Sequence, residues 1–350
     1  MGFFGKIKSK VIGICCRLLN IYPTCKAINA SMKHFMQKSE YRNFITRCRV
    51  GIDIFKCRKR YQANPNEYFL FGFRGQNHEY RNSFVTDEVK DDTLLKIIGG
   101  DIFFKELKDK YNFYLLTGKY FNRDVMFVNP TEGVVAEVKQ FAQKHPVLFV
   151  KENASSRGRG VSSYHVDDEI EAEELYNSLK ESGGDWMIEE KIVQVPEMAQ
   201  WNESSVNTVR LPAILNNGVW TALGPVLRTG RKGSVVDNAG AGGVLAVIDP
   251  QTGIITTDGV DENGKYYEKH PDSGVIYKGW QVPRWQELLS LTEEIQRSIP
   301  QHKYVGWDFA LTDKGWTLIE GNWGQFLSQY NDHIGLKWQF FDLLGVKCDK

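Results

Sequence analysis

One short stretch near the C-terminus limits the fold more than any other part of this 350-residue chain. Residues 305–322 form two apolar segments on either side of a polar turn, a pattern that predicts a β-hairpin with Gly315 in the left-handed position of a three-residue loop. With the residue before Gly315 at the centre of that loop, Asp308 lies directly opposite Glu320. Side chains alternate along a strand, so Asn322 shares their face.

Two carboxylates that face each other repel unless a cation or a proton lies between them. Hard oxygen ligands of this kind suit Mg²⁺ bound together with substrate phosphates. The alternative is an ordinary solvent-facing polar side of an antiparallel sheet. The apolar neighbours Trp307 and Phe309 favour the metal site, as do Gly306, Gly321 and Gly324, which leave room for a ligand.

A glycine-rich segment follows Lys151, which stands at the end of a predicted strand. Small residues in such a loop expose backbone N–H groups that can cradle phosphates, while a nearby lysine supplies charge. Ser156, Gly158 and Gly160 are the predicted contacts in this loop. A glycine-rich hairpin turn has the same appearance, so the alternative stays open. The segment lacks G-x-x-x-x-G-K-[ST], which excludes an ordinary P-loop.

A later strand ends in acidic residues. Glu189 and Glu190 close an apolar run, and Glu197 follows shortly after it. An exposed backbone at such a strand end can pair with an adenine edge, and a nearby carboxylate can accept hydrogen bonds from ribose hydroxyls. A strand that simply leaves the core for solvent fits the same residues equally well.

Arg210, Arg228 and a glycine-rich segment containing Asn238 follow in order. Arginine offers paired donors to a phosphate or a carboxylate, and glycines around Asn238 permit close backbone approach. Scattered surface arginines explain each of these residues individually. Only their order along the chain favours a single site.

The remaining pattern predicts a mixed α+β protein. A helix over 131–145 precedes a strand over 147–150, and an acidic helix over 169–181 precedes a strand over 186–192. This strand, loop, strand, helix and strand unit is small enough to move as a lid. From Thr208 onward, apolar runs such as 220–227, separated by glycine-rich turns, predict an antiparallel sheet.

The N-terminal part is predicted to be mainly helical, with a buried strand over 68–73 and helical segments over 91–114. We expect four regions in the chain. They are a basic helical region at 1–60, a small preceding domain at 61–130, a lid subdomain at 131–192 and a core subdomain with the metal site at 193–350.

Charge is distributed unevenly along the chain. Residues 1–60 contain fourteen Lys or Arg but only the acids Glu40 and Asp53, although the whole chain has a net charge of +1. Such a region can be attracted to an anionic membrane surface or another polyanion, and a solvated basic face packed on an acidic body is the alternative. No run approaches the ~20 apolar residues of a spanning helix, and no secretory signal is evident. We therefore expect a cytoplasmic protein, with peripheral contact at the inner membrane face as one alternative.

The order of these motifs resembles that of the ATP-grasp superfamily, over most of the chain from residue 110 to residue 324. Within it the chain is most similar to the sugar-transfer-associated ATP-grasp proteins of polysaccharide biosynthesis. The segments that carry this similarity are Ser205-Val-Asn-Thr-Val-Arg, Asp237-Asn-Ala-Gly-Ala-Gly-Gly and Gly306-Trp-Asp-Phe-Ala. The resemblance implies an ATP-grasp fold, in which two α+β subdomains clasp ATP, preceded by the basic helical region and a small pre-ATP-grasp domain.

The resemblance also implies roles for individual residues. Lys110 and Lys151 contact the ATP phosphates, and the carboxylate hairpin holds one or two Mg²⁺ ions. Arg210, with Arg228, steadies the transferred phosphate or an acyl-phosphate, and Asn238 covers the second substrate. The implied adenine and ribose contacts are Glu189, Glu190, Ile192 and Glu197, and the implied metal ligands are Asp308, Glu320 and Asn322.

The implied reaction needs no protein nucleophile, because a substrate carboxylate attacks the γ-phosphate and an amine or similar nucleophile displaces the acyl-phosphate. We expect a carboxylate–amine ligase that uses ATP and Mg²⁺ on a small-molecule or glycan-precursor substrate, without a nucleic-acid partner. The alternatives are a phosphotransferase acting on a hydroxyl and a nucleotide-binding module of a glycan assembly complex. At Trp323 the sequence differs from that of the better-known peptide ligases, so the resemblance does not identify the acceptor substrate.

Overall fold

The structure is a computed structural model that describes residues 22–129, 133–153, 161–234 and 242–347. Helices make up its N-terminal part. They are α1 Tyr22–Phe35, α2 Lys38–Arg42, α3 Phe44–Tyr61, α4 Pro65–Leu70, α5 His78–Asn82, α6 Asp87–Ile97, α7 Gly100–Phe103 and α8 Lys110–Thr117, with a π-helical turn at Phe104–Lys108. The helical prediction for the described part of residues 1–60 is confirmed. None of the described helices is long and apolar enough to cross a lipid bilayer.

The aromatic run at 68–73 begins as a helix, so the predicted strand is wrong. Asn64 caps α4: its side-chain oxygen accepts a hydrogen bond from the backbone N–H of Glu67 at 3.0 Å, and the Glu67 carboxylate accepts one from Asn64 N–H at 2.7 Å. Pro65 stands in the first turn, where its fixed φ suits a helix. Local capping therefore decides the conformation, while burial of the aromatic side chains remains. The buried ones are Tyr68, Phe71 and Phe73.

A four-stranded antiparallel sheet forms the middle of the chain. Its strands are β1 Val125–Val128, β2 Val147–Glu152, β3 Val161–His165 and β4 Trp186–Glu190, in the order β1-β4-β2-β3. Helices α9 Val135–Lys144 and α10 Glu169–Ser182 share a buried apolar core with this sheet. The predicted succession of strands and helices is confirmed for the described residues. β1 comes from the segment assigned to the preceding domain, and the division into four regions stays a prediction.

An eight-stranded antiparallel sheet follows, in the order β10-β9-β8-β7-β5-β11-β12, with β6 paired to β5. Its strands are β5 Thr208–Asn216, β6 Val219–Ala222, β7 Val226–Thr229, β8 Val244–Val247, β9 Gly259–Asp261, β10 Tyr266–Tyr267, β11 Tyr304–Thr312 and β12 Gly315–Asn322. The run at 220–227 was predicted as one strand. It is divided between β6 and β7 because the chain turns at Gly224, which has a φ of +66°. Two antiparallel sheets with helices confirm the α+β class.

Three helices accompany the second sheet: α11 Pro196–Ala199, α12 Trp285–Ser298 and α13 Lys337–Leu344. The apolar side of α12 is buried in the same core as the hairpin. Trp307, Phe309 and Trp316 of the hairpin are fully buried in this core. Large apolar side chains therefore hold the hairpin rigidly in place.

The hairpin of β11 and β12 has the predicted pairing of Asp308 with Glu320, although the turn differs. Thr312 pairs with Gly315 across a two-residue turn at 313–314, and Gly315, with a φ of +114°, begins β12. That register, continued without interruption, would place Asp308 opposite Ile319. A register shift between Asp308 and the next residue, typical of a β-bulge, restores the pairing with Glu320.

Candidate functional site

Asp308 lies at the centre of a charged cluster on the second sheet. β11 runs between β5 and β12, and Asp308 is opposite Arg210 on β5 and Glu320 on β12. Arg210 binds both carboxylate oxygens: Nε donates to Oδ1 at 2.7 Å and Nη2 donates to Oδ2 at 2.5 Å. Arg228 on β7 donates from Nη1 to Oδ2 at 3.1 Å. Four predicted site residues thus meet at one carboxylate.

Burial makes these charge interactions strong. The side chain of Asp308 is 3% exposed, and those of Arg210 and Arg228 are 13% and 12% exposed. Burial alone would raise the pKa of Asp308, but the charges of Arg210 and Arg228 outweigh it and lower the pKa of that carboxyl. Asp308 is therefore ionised at neutral pH and holds both guanidinium groups in fixed orientations.

Glu320 and Asn322 form an oxygen-rich edge beside Asp308. Desolvation and the charge of Asp308 both raise the pKa of Glu320. Since 52% of the Glu320 side chain is exposed, the neighbouring charge is the stronger cause. Nδ2 of Asn322 donates to Oε1 of Glu320 at 3.2 Å. Oδ1 of Asn322 is buried and accepts no hydrogen bond from any described residue.

An unpaired buried oxygen next to two acids is an arrangement that a hard cation satisfies. Gly324 keeps the space open, because a Cβ there would lie 2.5 Å from Oδ1 of Asn322 and 3.0 Å from Nη1 of Arg210. Asp308, Glu320 and Asn322 therefore fit a Mg²⁺ ion. The ion would share Asp308 with the arginines, which already use both of its oxygens.

A second charged cluster surrounds Glu189 on the first sheet. Its side chain is 2% exposed, and Oε2 accepts hydrogen bonds from Nζ of Lys151 at 2.8 Å and Nε of Arg123 at 3.1 Å. Burial favours the neutral acid, but Arg123 and Lys151 lower the pKa of Glu189. Arg123 also donates from Nη1 to the carbonyl of Leu318 at 2.7 Å. It therefore ties the first sheet to β12, two residues before Glu320.

Lys110 connects the two clusters from the start of α8. Its Nζ donates to the backbone carbonyls of Glu152 at 2.8 Å and Asn153 at 3.1 Å, at the end of β2. Desolvation lowers its pKa, and the charges that act on it include Glu320 of the second sheet and Lys151 of the first. Since Arg123 binds both Glu189 and the Leu318 carbonyl of β12, the two clusters adjoin each other.

Among the described side chains named in the two clusters, five are basic and three are carboxylates, an excess of positive charge. The basic residues are Lys110, Arg123, Lys151, Arg210 and Arg228, and the acids are Glu189, Asp308 and Glu320. Such an excess suits a polyphosphate, which carries several negative charges and strong hydrogen-bond acceptors.

The predicted adenine hinge lies between β4 and α11, against the end of β11. The N–H of Val195 donates to the carbonyl of Leu311 at 3.1 Å. Ile192 is half-buried, and Glu197 is exposed in the first turn of α11. The hinge is thus anchored on β11, three residues beyond Asp308.

The two acids at the end of β4 are both engaged by protein groups. Glu189 binds Arg123 and Lys151, as described above, and the Glu190 carboxylate accepts a hydrogen bond from the N–H of Asp124 at 3.0 Å. Glu189 therefore orients a predicted phosphate-binding lysine. Contact of Glu189 and Glu190 with a nucleotide stays a prediction.

Sequence reasoning missed Arg123. No local pattern pointed to it, because its partner Glu189 is 66 residues away. Four predicted residues, Ser156, Gly158, Gly160 and Asn238, lie outside the described residues, and their roles stay predictions.

Solved structures that match this chain have low sequence identity. D-alanyl-alanine synthetase A from Vibrio cholerae O1 biovar eltor is 14% identical, with a TM-score of 0.42 over 68% of this chain and 64% of that chain. D-alanine–D-alanine ligase from Helicobacter pylori is 14% identical, with a TM-score of 0.40 over 70% and 62%. The biotin carboxylase domain of 2-oxoglutarate carboxylase from Hydrogenobacter thermophilus is 15% identical, with a TM-score of 0.43 over 70% and 47%. This chain thus spans less than two thirds of the length of each.

No curated protein sequence matches the chain. The family model of sugar-transfer associated ATP-grasp proteins matches residues 104–331. That range covers more than half of the chain and includes the residues of both charged clusters. As the order of its motifs predicted, the chain belongs to the sugar-transfer associated ATP-grasp family.

Proposed function

We propose that this protein is an ATP-dependent, ADP-forming ligase that joins a carboxylate to an amine or a similar nucleophile. One observation carries the proposal: Arg123 binds both Glu189, which holds Lys151, and the carbonyl of Leu318, two residues before Glu320. A basic region that can bind phosphates therefore lies next to the acidic edge that can bind a metal ion. Membership of the ATP-grasp family supports the same combination of ATP and Mg²⁺.

The residues divide by charge into two groups with different roles. Lys110 and Lys151 neutralise the phosphates of the nucleotide, and Glu189 fixes the position of Lys151. Arg210 and Arg228 are oriented by Asp308 and bind the oxygens of the transferred phosphoryl group. Mg²⁺ held by Asp308, Glu320 and Asn322 would neutralise phosphate charge and so favour attack at the γ-phosphorus.

The proposed reaction has two steps. A carboxylate oxygen of the first substrate bonds to the γ-phosphorus of ATP as the bond to the ADP oxygen breaks. The nitrogen of the second substrate then bonds to the carbonyl carbon of the acyl-phosphate, inorganic phosphate leaves with the C–O bonding electrons, and the amine loses a proton. Both steps depend on orientation and charge neutralisation, which the clusters supply.

We further propose that a sugar or a polysaccharide precursor is one of the substrates. The support is the association of this family with sugar transfer. The excess of basic side chains in the site also suits an acidic substrate such as a uronic acid.

The test is ADP release by the purified protein with Mg²⁺, with uronic acids and amino acids supplied as pairs. A carboxylate labelled with ¹⁸O separates the mechanisms, because an acyl-phosphate passes one labelled oxygen to inorganic phosphate. ADP formed only with an acid and an amine together, with label in phosphate, is the expected result. ADP formed without an amine, together with a stable phosphorylated product, would show a phosphotransferase instead. Nucleotide bound without turnover would favour a binding module.

Two variants show whether the described site carries the activity. Asp308→Asn with Glu320→Gln removes the acidic edge and should abolish Mg²⁺-dependent turnover. Asp313→Asn is the matched control, since Asp313 is an exposed acid in the turn of the same hairpin. Equal activity of the double variant and this control would refute the assignment.

A further inference from the structure

Helix α3 has two sides with different surroundings. Its inward side is buried in the N-terminal apolar core, through Val50, Ile54, Cys57 and Tyr61. On the opposite side, Ile45 is 62% exposed and Ile52 is 57% exposed. Large aliphatic side chains at that level of exposure contribute little to the stability of the chain itself.

Basic residues alternate with these isoleucines along the same side. Residues 45, 49, 52 and 56 follow helical spacing, so Ile45, Arg49, Ile52 and Lys56 form one stripe of ~16 Å. We call these four residues the α3 stripe. Arg49 and Lys56 are both exposed, and no carboxylate of the described residues forms an ion pair with either.

The two acids of this region do not neutralise the stripe. Glu40 pairs with Arg74 at 3.0 Å, and Asp53 pairs with Arg81 at 2.8 Å. Both acids thus form ion pairs with arginines that lie beyond residue 60. Helix α3 itself contains six Lys or Arg against the single acid Asp53, so the helix is strongly basic.

We propose that the α3 stripe docks on an anionic lipid surface. A helix that presents both aliphatic and basic side chains on one side lies in the membrane interface, with the apolar groups among the acyl chains and the cations at the headgroups. Charge complementarity accounts for Arg49 and Lys56, and the exposed isoleucines distinguish lipid from nucleic acid, whose phosphates offer no partner for an aliphatic side chain. This inference is independent of the proposed ligase reaction.

The experiment is co-sedimentation of the full chain with vesicles of phosphatidylcholine, with and without phosphatidylglycerol. Binding should require phosphatidylglycerol and weaken as salt is raised. Arg49→Gln with Lys56→Gln should reduce the partition coefficient roughly 25-fold, at about five-fold for each cation. Ile45→Ser with Ile52→Ser should reduce it at least ~10-fold while leaving the net charge unchanged.

A matched control comes from α10, where Ile170 is 69% exposed and Lys180 is exposed. Ile170→Ser with Lys180→Gln should bind vesicles as the wild type does, and thermal unfolding should confirm that all variants are folded. The proposal would be overturned if the wild type does not bind the vesicles, or if both stripe variants bind them as the wild type does. Equal loss in the α10 control, or tighter binding to single-stranded RNA that is insensitive to Ile45→Ser with Ile52→Ser, would also overturn it.

Discussion

The ammonium group of Lys90 donates a hydrogen bond of 2.6 Å to the backbone carbonyl of Trp323, the residue that follows the proposed metal ligand Asn322. The Lys90 side chain is 4% exposed, and its Nζ also pairs with Oδ1 of Asp91 at 2.6 Å. Lys90 lies before residues 104–331, the range matched by the family model. A buried cation from the N-terminal helices therefore fixes the backbone at the end of the carboxylate strand.

Replacing Lys90 should disturb the site as well as the fold. Lys90→Met leaves the Trp323 carbonyl buried without its charged donor, which costs about 1.5–3 kcal/mol of unfolding free energy. Because that carbonyl follows Asn322 directly, we expect Mg²⁺-dependent ATP affinity to fall about ten-fold in protein that is still folded. Urea unfolding and calorimetric titration measure the two effects. Lys96→Met on the same helix, an exposed position, is the control. Unchanged ATP affinity in Lys90→Met would reduce Lys90 to a structural role.

Arg123 should be needed for the stability of the first sheet. Arg123→Met leaves the buried Glu189 carboxylate with Lys151 as its remaining cation, and breaking such a pair costs about 3–5 kcal/mol. The double variant with Glu189→Gln should recover part of that loss, because it removes the uncompensated charge. Denaturant unfolding of the two single variants and the double variant gives the coupling energy. Strictly additive effects would contradict a direct charge interaction.

Two glycines of the same region should respond differently to alanine. A Cβ at position 324 would lie 2.5 Å from Oδ1 of Asn322, whereas a Cβ at position 306 has its nearest atoms at 3.4 Å. Gly324→Ala should therefore displace Asn322 and weaken Mg²⁺-dependent ATP binding by at least ~10-fold, while Gly306→Ala should change it less than ~3-fold. Titration of both variants with Mg²⁺ at saturating ATP makes the comparison. Similar losses in both would mean that crowding at Asn322 is not the cause.

Binding of Mg²⁺ should depend on pH through Glu320. Its pKa is raised above the ordinary value of 4.5, and the metal binds the deprotonated carboxylate, so protons compete with Mg²⁺ as the pH falls toward that raised pKa. The lowered pKa of Asp308 keeps that carboxylate charged over the same range. Mg²⁺ affinity should thus decline at a pH above 4.5. The Glu320→Gln variant, titrated alongside, should bind weakly and lack this component. An identical pH dependence in both proteins would exclude Glu320 as the titrating ligand.

Local sequence patterns predicted the elements of the fold with one main error. The hairpin pairing of Asp308 with Glu320 was correct, although it is reached through a two-residue turn and a register shift. The strand predicted over 68–73 was wrong, because apolar residues alone do not distinguish a buried strand from a buried helix. The cap formed by Asn64 and Glu67 selects the helix.

The sequence by itself determined which residue types face one another within a hairpin, because strand periodicity acts over a few residues. It also determined the family, through the order of motifs along the chain. Only the tertiary structure decided which partner each buried charged side chain meets. Asp308 meets Arg210 across 98 residues, Glu189 meets Arg123 across 66, and Lys90 meets Trp323 across 233. Such partners are set by where packed sheets and helices bring distant segments together, and burial then makes each pairing obligatory, since an unpaired buried charge is too costly to retain.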